Sequence, residues 1–191
     1  MLTGAILAGG RSLRYGRNKA LEVFEGRRLI DRGIDDLHPF CDPLLVVAND
    51  LSAYFDVRAT LVQDIVPHQG PLVGIYTALL FSPNEWVFTK ATDMPFLFPE
   101  LIKMMVEMRE GCDAVVPLLN GRHEPLLALY RRGCLAAIAE RVESGERKVA
   151  AFYPKVRLKN LSEELWRSVD PKGLSFKNVN SPEDWKQLGW N

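Results

Sequence analysis

Apolar and polar positions along this chain follow two periods, and the switches between them lay out its elements. Residues 43–48, PLLVVA, are apolar over a full strand length, the pattern of a parallel strand covered on both faces. Shorter apolar runs at 3–7, 61–62, 86–89 and 114–118 read as four more strands. Between them the spacing becomes helical. Ile30, Ile34 and Leu37 share a face, and Leu72, Val73, Tyr76, Leu79 and Leu80 form a stripe behind Pro71. Phe98, Leu101, Ile102 and Met105 stand at i, i+3, i+4 and i+7, and a further helix is predicted over 135–142. Alternation at 21–29 around Glu25-Gly26 predicts a small hairpin. Asn120-Gly121 turns the fifth strand back into 124–130, so one antiparallel return makes the sheet mixed. Beyond 149 the pattern gives a short helix, a strand near 156–158, a second helical piece reaching 166, and an extended segment or last strand over 176–180. Ser181-Pro182-Glu183-Asp184 has cap, proline and first-turn carboxylates in the order that starts a final helix. Strands alternating with helices predict an α/β fold, a Rossmann-like three-layer sandwich around a mostly parallel, mixed sheet.

Length and charge narrow the reading. With 191 residues and no linker or charge block, the chain is expected to form one domain over 1–191. Lys plus Arg balance Asp plus Glu at 24 each, so the global field draws in neither nucleic acid nor an anionic membrane, and any anion recognition has to be local. No apolar run approaches the roughly 18 residues of a membrane span. MLTGAILAGG lacks the charged start and apolar stretch of a signal peptide, so a cytoplasmic location is expected. Cys41, Cys112 and Cys134 are odd in number and far apart, which predicts buried apolar thiols rather than a zinc site or a catalytic pair.

The chemistry concentrates at 7–21, LAGGRSLRYGRNKAL. Gly9 and Gly10 fall where the first strand meets its loop, and glycine lets backbone N–H groups close in on an anion. Ser12 adds a hydroxyl donor, Arg14 a planar guanidinium and Lys19 a mobile point charge. The set suits a triphosphate. It is not a P-loop, because Gly16 is followed by Arg17 and Asn18 instead of Lys and Ser. The dinucleotide fingerprint fails too, since Gly9 and Gly10 are adjacent and the third and sixth places hold no glycine. In an open α/β sheet ligands bind beyond the carboxyl ends of the strands. Asn49-Asp50, Gln63-Asp64 and Thr92-Asp93-Met94-Pro95 all stand at such ends. Each also reads as a plain turn or cap. Asp93, with Pro95 fixing its turn, is placed to hold Mg²⁺, which takes one or two carboxylates plus phosphate oxygens and water.

The spacing L-A-G-G-x-S-x-R-x-G-x-x-K, met by Leu7, Ala8, Gly9, Gly10, Ser12, Arg14, Gly16 and Lys19, resembles the signature of the molybdenum cofactor guanylyltransferase family of small nucleotidyltransferases. Asn18 stands where relatives often carry Asp, and no role is assigned to it. The resemblance continues in order through Asn49, the segment Asp64 to Gly74, the D-x-P-F of Asp93 and the ending at Asn178 to Ser181. It implies a nucleotidyltransferase fold, with a donor-nucleotide half over about 1–95 and an acceptor half over about 96–191. The implied GTP contacts are Leu7, Ala8, Gly9, Gly10, Ser12, Lys19, Asn49, Asp64, Gly70 and Asp93. Lys19, Arg14 and Asp93 carry catalysis, Asp93 holds Mg²⁺ (or Mn²⁺), and Arg122, His123, Asn178 and Asn180 face the acceptor. Glu124 stands beside Arg122 and His123 in the same turn.

The implied reaction joins GMP from GTP to the terminal phosphate of molybdenum-bound molybdopterin, forming the guanine dinucleotide cofactor and releasing pyrophosphate, and family analogy adds transient contact with cofactor synthesis or acceptor enzymes. Three other readings keep the loop: a cytidylyltransferase acting on the same cofactor, a nucleotidyltransferase acting on a phosphosugar or isoprenoid precursor, and a noncatalytic nucleotide sensor.

Overall fold

A computed structural model describes residues 1–9, 18–67, 70–179 and Asp184. The chain runs β1 (Leu2–Leu7), β2 (Val23–Phe24), β3 (Arg27–Arg28), α1 (Leu29–Leu37), β4 (Leu44–Ala48), β5 (Thr60–Gln63), α2 (Pro71–Phe81) and β6 (Trp86–Ala91). It continues through α3 (Pro99–Glu107), β7 (Ala114–Leu119), β8 (Arg122–His123), β9 (Leu127–Arg131), α4 (Leu135–Glu143), β10 (Leu158–Leu161) and α5 (Glu163–Arg167). The main sheet has the order β10-β7-β9-β6-β1-β4-β5, with β8 on β7. β1 is parallel to both β4 and β6, β4 is parallel to β5, and β9 is the antiparallel strand between β6 and β7. The mixed, mostly parallel sheet is the one the sequence predicts.

Helices cover both faces, which is why β4 and β6 are buried along their whole length. On one face α1, α3 and α5 pack Ile30, Ile34, Leu101, Ile102, Met105 and Trp166 against Ile6, Val46, Phe88 and Leu129. On the other α2 and α4 pack Leu72, Ile75, Ala78, Leu79 and Ile138 against Ala5, Val47, Val87 and Ala128. Leu80, counted into the α2 stripe from the sequence, points outward at 43% exposure. The predicted hairpin is the β2–β3 pair, turning on Glu25 and Gly26, both at positive φ. All three cysteines are buried and free, and burial pushes the Cys41 and Cys134 thiols up to about 12.

The segment from residue 96 onward departs from the simple pattern. Asn120-Gly121 does turn the chain, but only into the two residues of β8, which pair as Leu118↔His123 and Leu119↔Arg122. Pairing resumes as Val115↔Leu129, a different register. Glu124 to Leu126 take up the difference. Pro117 and Pro125 have no N–H to give a ladder, so Pro117 only accepts, from Glu124 N–H at 2.8 Å, and the hairpin breaks there. The strand expected near 156–158 lies at Leu158–Leu161, parallel to β7. Residues 176–180 are not a strand in their described part: Leu174–Phe176 form a 3₁₀ turn and 177–179 run irregularly. The final helix falls outside the described residues except for Asp184.

Candidate active site

Three parallel strands deliver their ends to one place. The chain leaving β1 is tied to β4 by Ala8 N–H donating to Val47 O at 2.8 Å, and the chain leaving β5 by Asp64 N–H donating to Ala48 O at 2.9 Å. Asn49, just past β4, aims its amide at the carbonyl of Gly9, 3.5 Å away. A Cβ on Gly9 would stand 2.9 Å from Asp64 Oδ2 and 3.1 Å from Asn49 Nδ2, so glycine is needed here for space. Gly74 of α2 lies against the same spot, where a Cβ would make ordinary contacts with Leu7 Cδ2 at 3.4 Å and Asp64 Oδ1 at 3.9 Å. Gly9, Asn49 and Asp64 therefore form one wall with a buried carboxylate and an amide. Such a wall suits a base edge rich in N–H donors. Gly70 is different. It caps α2 at φ 90°, and a Cβ there would meet only Arg147 Cβ at 4.0 Å, so backbone conformation rather than space calls for glycine.

On the other side of β1 the end of β6 supplies the charge. Thr92 donates to Leu7 O through both its N–H at 3.3 Å and its hydroxyl at 3.1 Å, pinning this turn to the end of β1. Asp93 follows, half-buried. Burial pushes its carboxyl above the usual range, opposed first by the positive charge of Lys19 and more weakly by Lys90. Lys19 begins a 3₁₀ turn, Lys19–Leu21, whose cap is Asn18. Asn18 Oδ1 accepts from Ala20 N–H at 3.1 Å while its Nδ2 donates to the buried Tyr54 hydroxyl at 2.8 Å. Asn18 thus shapes the turn that carries Lys19, a role legible in the cap preference for asparagine.

The acceptor candidates are spread out. Asn178 is exposed, but its neighbour Val179 donates N–H to Asp93 O at 2.8 Å, which brings the C-terminal segment to the metal candidate. His123 lies edge-on to Tyr153, ring centroids 5.0 Å apart, with Nε2 3.0 Å from Asn160 Oδ1. Arg122 is exposed at the tip of β8. Glu124 is closer to the site than either. Leu126 O accepts from Ala91 N–H at 3.0 Å, one step beyond the last β6–β9 pair, Lys90↔Leu127, and Glu124 follows close enough for the Asp93 charge to act on it. Burial pushes the Glu124 carboxyl up, a hydrogen bond from Leu126 N–H opposes this, and the Asp93 charge adds to the rise. Gly10, Ser12, Arg14 and Asn180 lie outside the described residues.

Among the described residues no three His, Cys, Asp or Glu side chains converge to cage a metal. One carboxylate, Asp93, with Glu124 behind it, instead suits a small hard cation that completes its shell with phosphate oxygens and water. No helix among the described residues is long and apolar enough to cross a membrane.

Comparison with known proteins identifies the setting. Residues 4–159 match the MobA-like NTP transferase domain. A molybdenum cofactor guanylyltransferase from Desulfosudis oleivorans is 39% identical over 96% of this chain and 92% of its own length. The crystal structure of molybdopterin-guanine dinucleotide biosynthesis protein A from Archaeoglobus fulgidus superposes with a TM-score of 0.82 at 28% identity, covering 97% of this chain and 95% of that one. A 2-C-methyl-D-erythritol 4-phosphate cytidylyltransferase from Thermus thermophilus shares the fold at TM-score 0.70, with 14% identity over 96% of this chain and 95% of that one. The chain belongs to the molybdenum cofactor guanylyltransferase family, within the MobA-like nucleotidyltransferases.

Proposed function

We propose that this protein transfers GMP from GTP to the terminal phosphate of molybdopterin. The observation that carries the reading is the convergence of Gly9, Asn49 and Asp64 on one side of β1 with Lys19 and Asp93 on the other, in a chain whose relatives are named for this reaction. An oxygen of the molybdopterin phosphate attacks the α-phosphorus, the new P–O bond forms, the bond to the β-phosphate breaks, and pyrophosphate leaves. The acceptor is its own nucleophile, so positioning and charge neutralisation supply the catalysis.

In this reading the Asp64 carboxylate accepts from the guanine N1–H and 2-amino group, and Asn49 holds the base or ribose beside it. The loop from Ala8 to Ser12 cradles the triphosphate, and Arg14 and Lys19 neutralise it. Asp93 would hold Mg²⁺ (or Mn²⁺), which supplies Lewis-acid neutralisation of the reacting phosphates. Arg122, His123, Asn178 and Asn180 remain the acceptor-side assignments, joined by Glu124. The expected partners are the two substrates, with transient contact to enzymes that deliver or collect the cofactor, in the cytoplasm.

The test is pyrophosphate release with molybdate-loaded molybdopterin, Mg²⁺ and each of GTP, CTP, ATP and UTP in separate reactions. Release with GTP alone is expected. Release with CTP alone moves the protein to the cytidylyl activity, and binding without release from any of the four means either another acceptor, tested next with phosphosugars, or a sensor.

A further inference from the structure

Lys90 is the least expected residue in the sheet. It sits on β6 between β1 and β9, facing Ile6↔Lys90↔Leu127, and its side chain is wholly buried. A lysine is almost never fully buried without a partner. Its Nζ lies 3.3 Å from Asp36 Oδ2 on α1, and Gly33, one turn earlier, leaves the room: a Cβ there would stand 3.6 Å from Nζ. Among the described residues neither Lys90 Nζ nor Asp36 Oδ2 makes a well-formed hydrogen bond. The pair is held by charge more than by geometry. Replacing such a pair with apolar residues is often neutral or stabilising, so stability alone does not account for it.

Its position suggests a use. Asp93 is three residues beyond Lys90, and the turn between them is fixed by Ala91 N–H donating to Leu126 O and by Thr92 donating to Leu7 O; among the described residues Lys90 is one of two cations that oppose the rise of the Asp93 carboxyl. The other, Lys19, is on a half-buried turn and carries a flexible stem. Lys90 is fixed within the core. Among the described residues, the charged groups that act on this corner are Lys19 from its turn, Asp35, Asp36 and Arg32 from α1, Lys90 from β6 and Glu124 ahead of β9.

We propose that Lys90 is a positioning residue of the nucleotide site, a fixed buried charge that weakens cation capture by Asp93 before nucleotide arrives and strengthens the hold on the triphosphate, with Asp36 setting its strength. The inference rests on Asp93 being the cation ligand. A positive charge behind that carboxylate repels a divalent cation and attracts a polyanion, and in a low-dielectric interior it is poorly screened. Asp36 keeps that charge in place against burial, so losing either half of the pair must move the two ligands the same way.

The experiment measures two affinities in each variant: Mn²⁺ without nucleotide, by loss of the free-ion EPR signal, and GTP without metal, by calorimetry in EDTA. Lys90→Met is expected to tighten Mn²⁺ and weaken GTP, each by roughly three- to tenfold. Asp36→Asn removes the carboxylate that keeps the buried lysine charged, so it is expected to move both affinities in the same direction as Lys90→Met, by a smaller factor. A purely structural role predicts instead that both variants weaken both ligands, and that result, or no shift in either, overturns the proposal. If Lys90→Met fails to fold, Asp36→Asn alone decides, because Asp36 keeps 27% of its side chain exposed and the amide has the same size. Asp93→Asn is the control on the premise. It must abolish Mn²⁺ binding in the wild-type background; if Mn²⁺ binding survives, the metal assignment itself is wrong, whichever way the Lys90 variant moves.

Discussion

The two edges of the sheet use the same residue types for opposite ends. At the amino edge the charges satisfy one another. Asp113 accepts from Arg157 N–H at 3.0 Å, Nε at 2.9 Å and Nη2 at 2.7 Å, and stands 3.8 Å from Arg131, which in turn binds Glu85 through Nε at 2.9 Å and Nη2 at 2.6 Å. The Arg157 hydrogen bond leads in pulling the Asp113 carboxyl down to about 2. At the carboxyl edge burial pushes Asp93 and Glu124 the other way, with Lys19 only partly opposing it at Asp93. A cavity of about 660 Å³ opens at the amino edge, lined in part by Glu85, Arg109, Arg131 and Arg157, yet most of that charge is already spent internally. Charge held at a cost and left facing a ligand marks the site.

Substitution can break this contrast. The largest effect is expected at the carboxyl edge: Asp93→Ala and Lys19→Ala should each lower turnover about 10²- to 10³-fold, with Tm within a few degrees of the parent. Near-parental turnover in either, at saturating GTP and Mg²⁺, removes that residue from the mechanism. Next comes Gly9→Ala. Its methyl has to displace the ends of Asp64 and Asn49, so calorimetry should show GTP binding weakened by about tenfold, or ~1.4 kcal/mol, with little change in Tm.

The amino edge should show the reverse signature. Asp113→Asn is expected to cost about 1 kcal/mol in urea denaturation, after allowing for screening by solvent, and to leave kinetics unchanged. A depressed carboxylate stabilises the fold above its unfolded value near 3.9 and loses that contribution as pH falls towards about 2. Between pH 5 and pH 2 the parent should therefore lose more stability than Asp113→Asn. Glu85→Gln, at an exposed pair, should change stability by less than about 0.5 kcal/mol and turnover not at all. A kinetic effect there would mean the two edges communicate.

Much of this was legible in the sequence. PLLVVA is β4, the helical stripes are α1 to α4, and Asn49, Asp64 and Asp93 stand at strand ends because a parallel sheet exposes nothing else there. What was missed has a local cause. Pro117 and Pro125 broke a hairpin that Asn120-Gly121 announced, so Glu124 reached the Asp93 corner in a bulge rather than a ladder. Leu80 satisfied the helical period but fell just off the buried arc of α2. Asn18, set aside because a family position usually holds Asp, works through its amide as a cap for Lys19.

The sequence by itself determined the fold class, the order of the strands' functional ends and the character of the loop, because these follow from period, turn chemistry and spacing along one chain. Only the tertiary structure decided which charges meet. Lys90 in FTKATD reads as an ordinary lysine at the end of a strand, and Asp36 as one of three carboxylates on a helix. Their encounter inside the core depends on α1 lying over β1 and β6 and on Gly33 leaving space, distances that the order of residues does not contain.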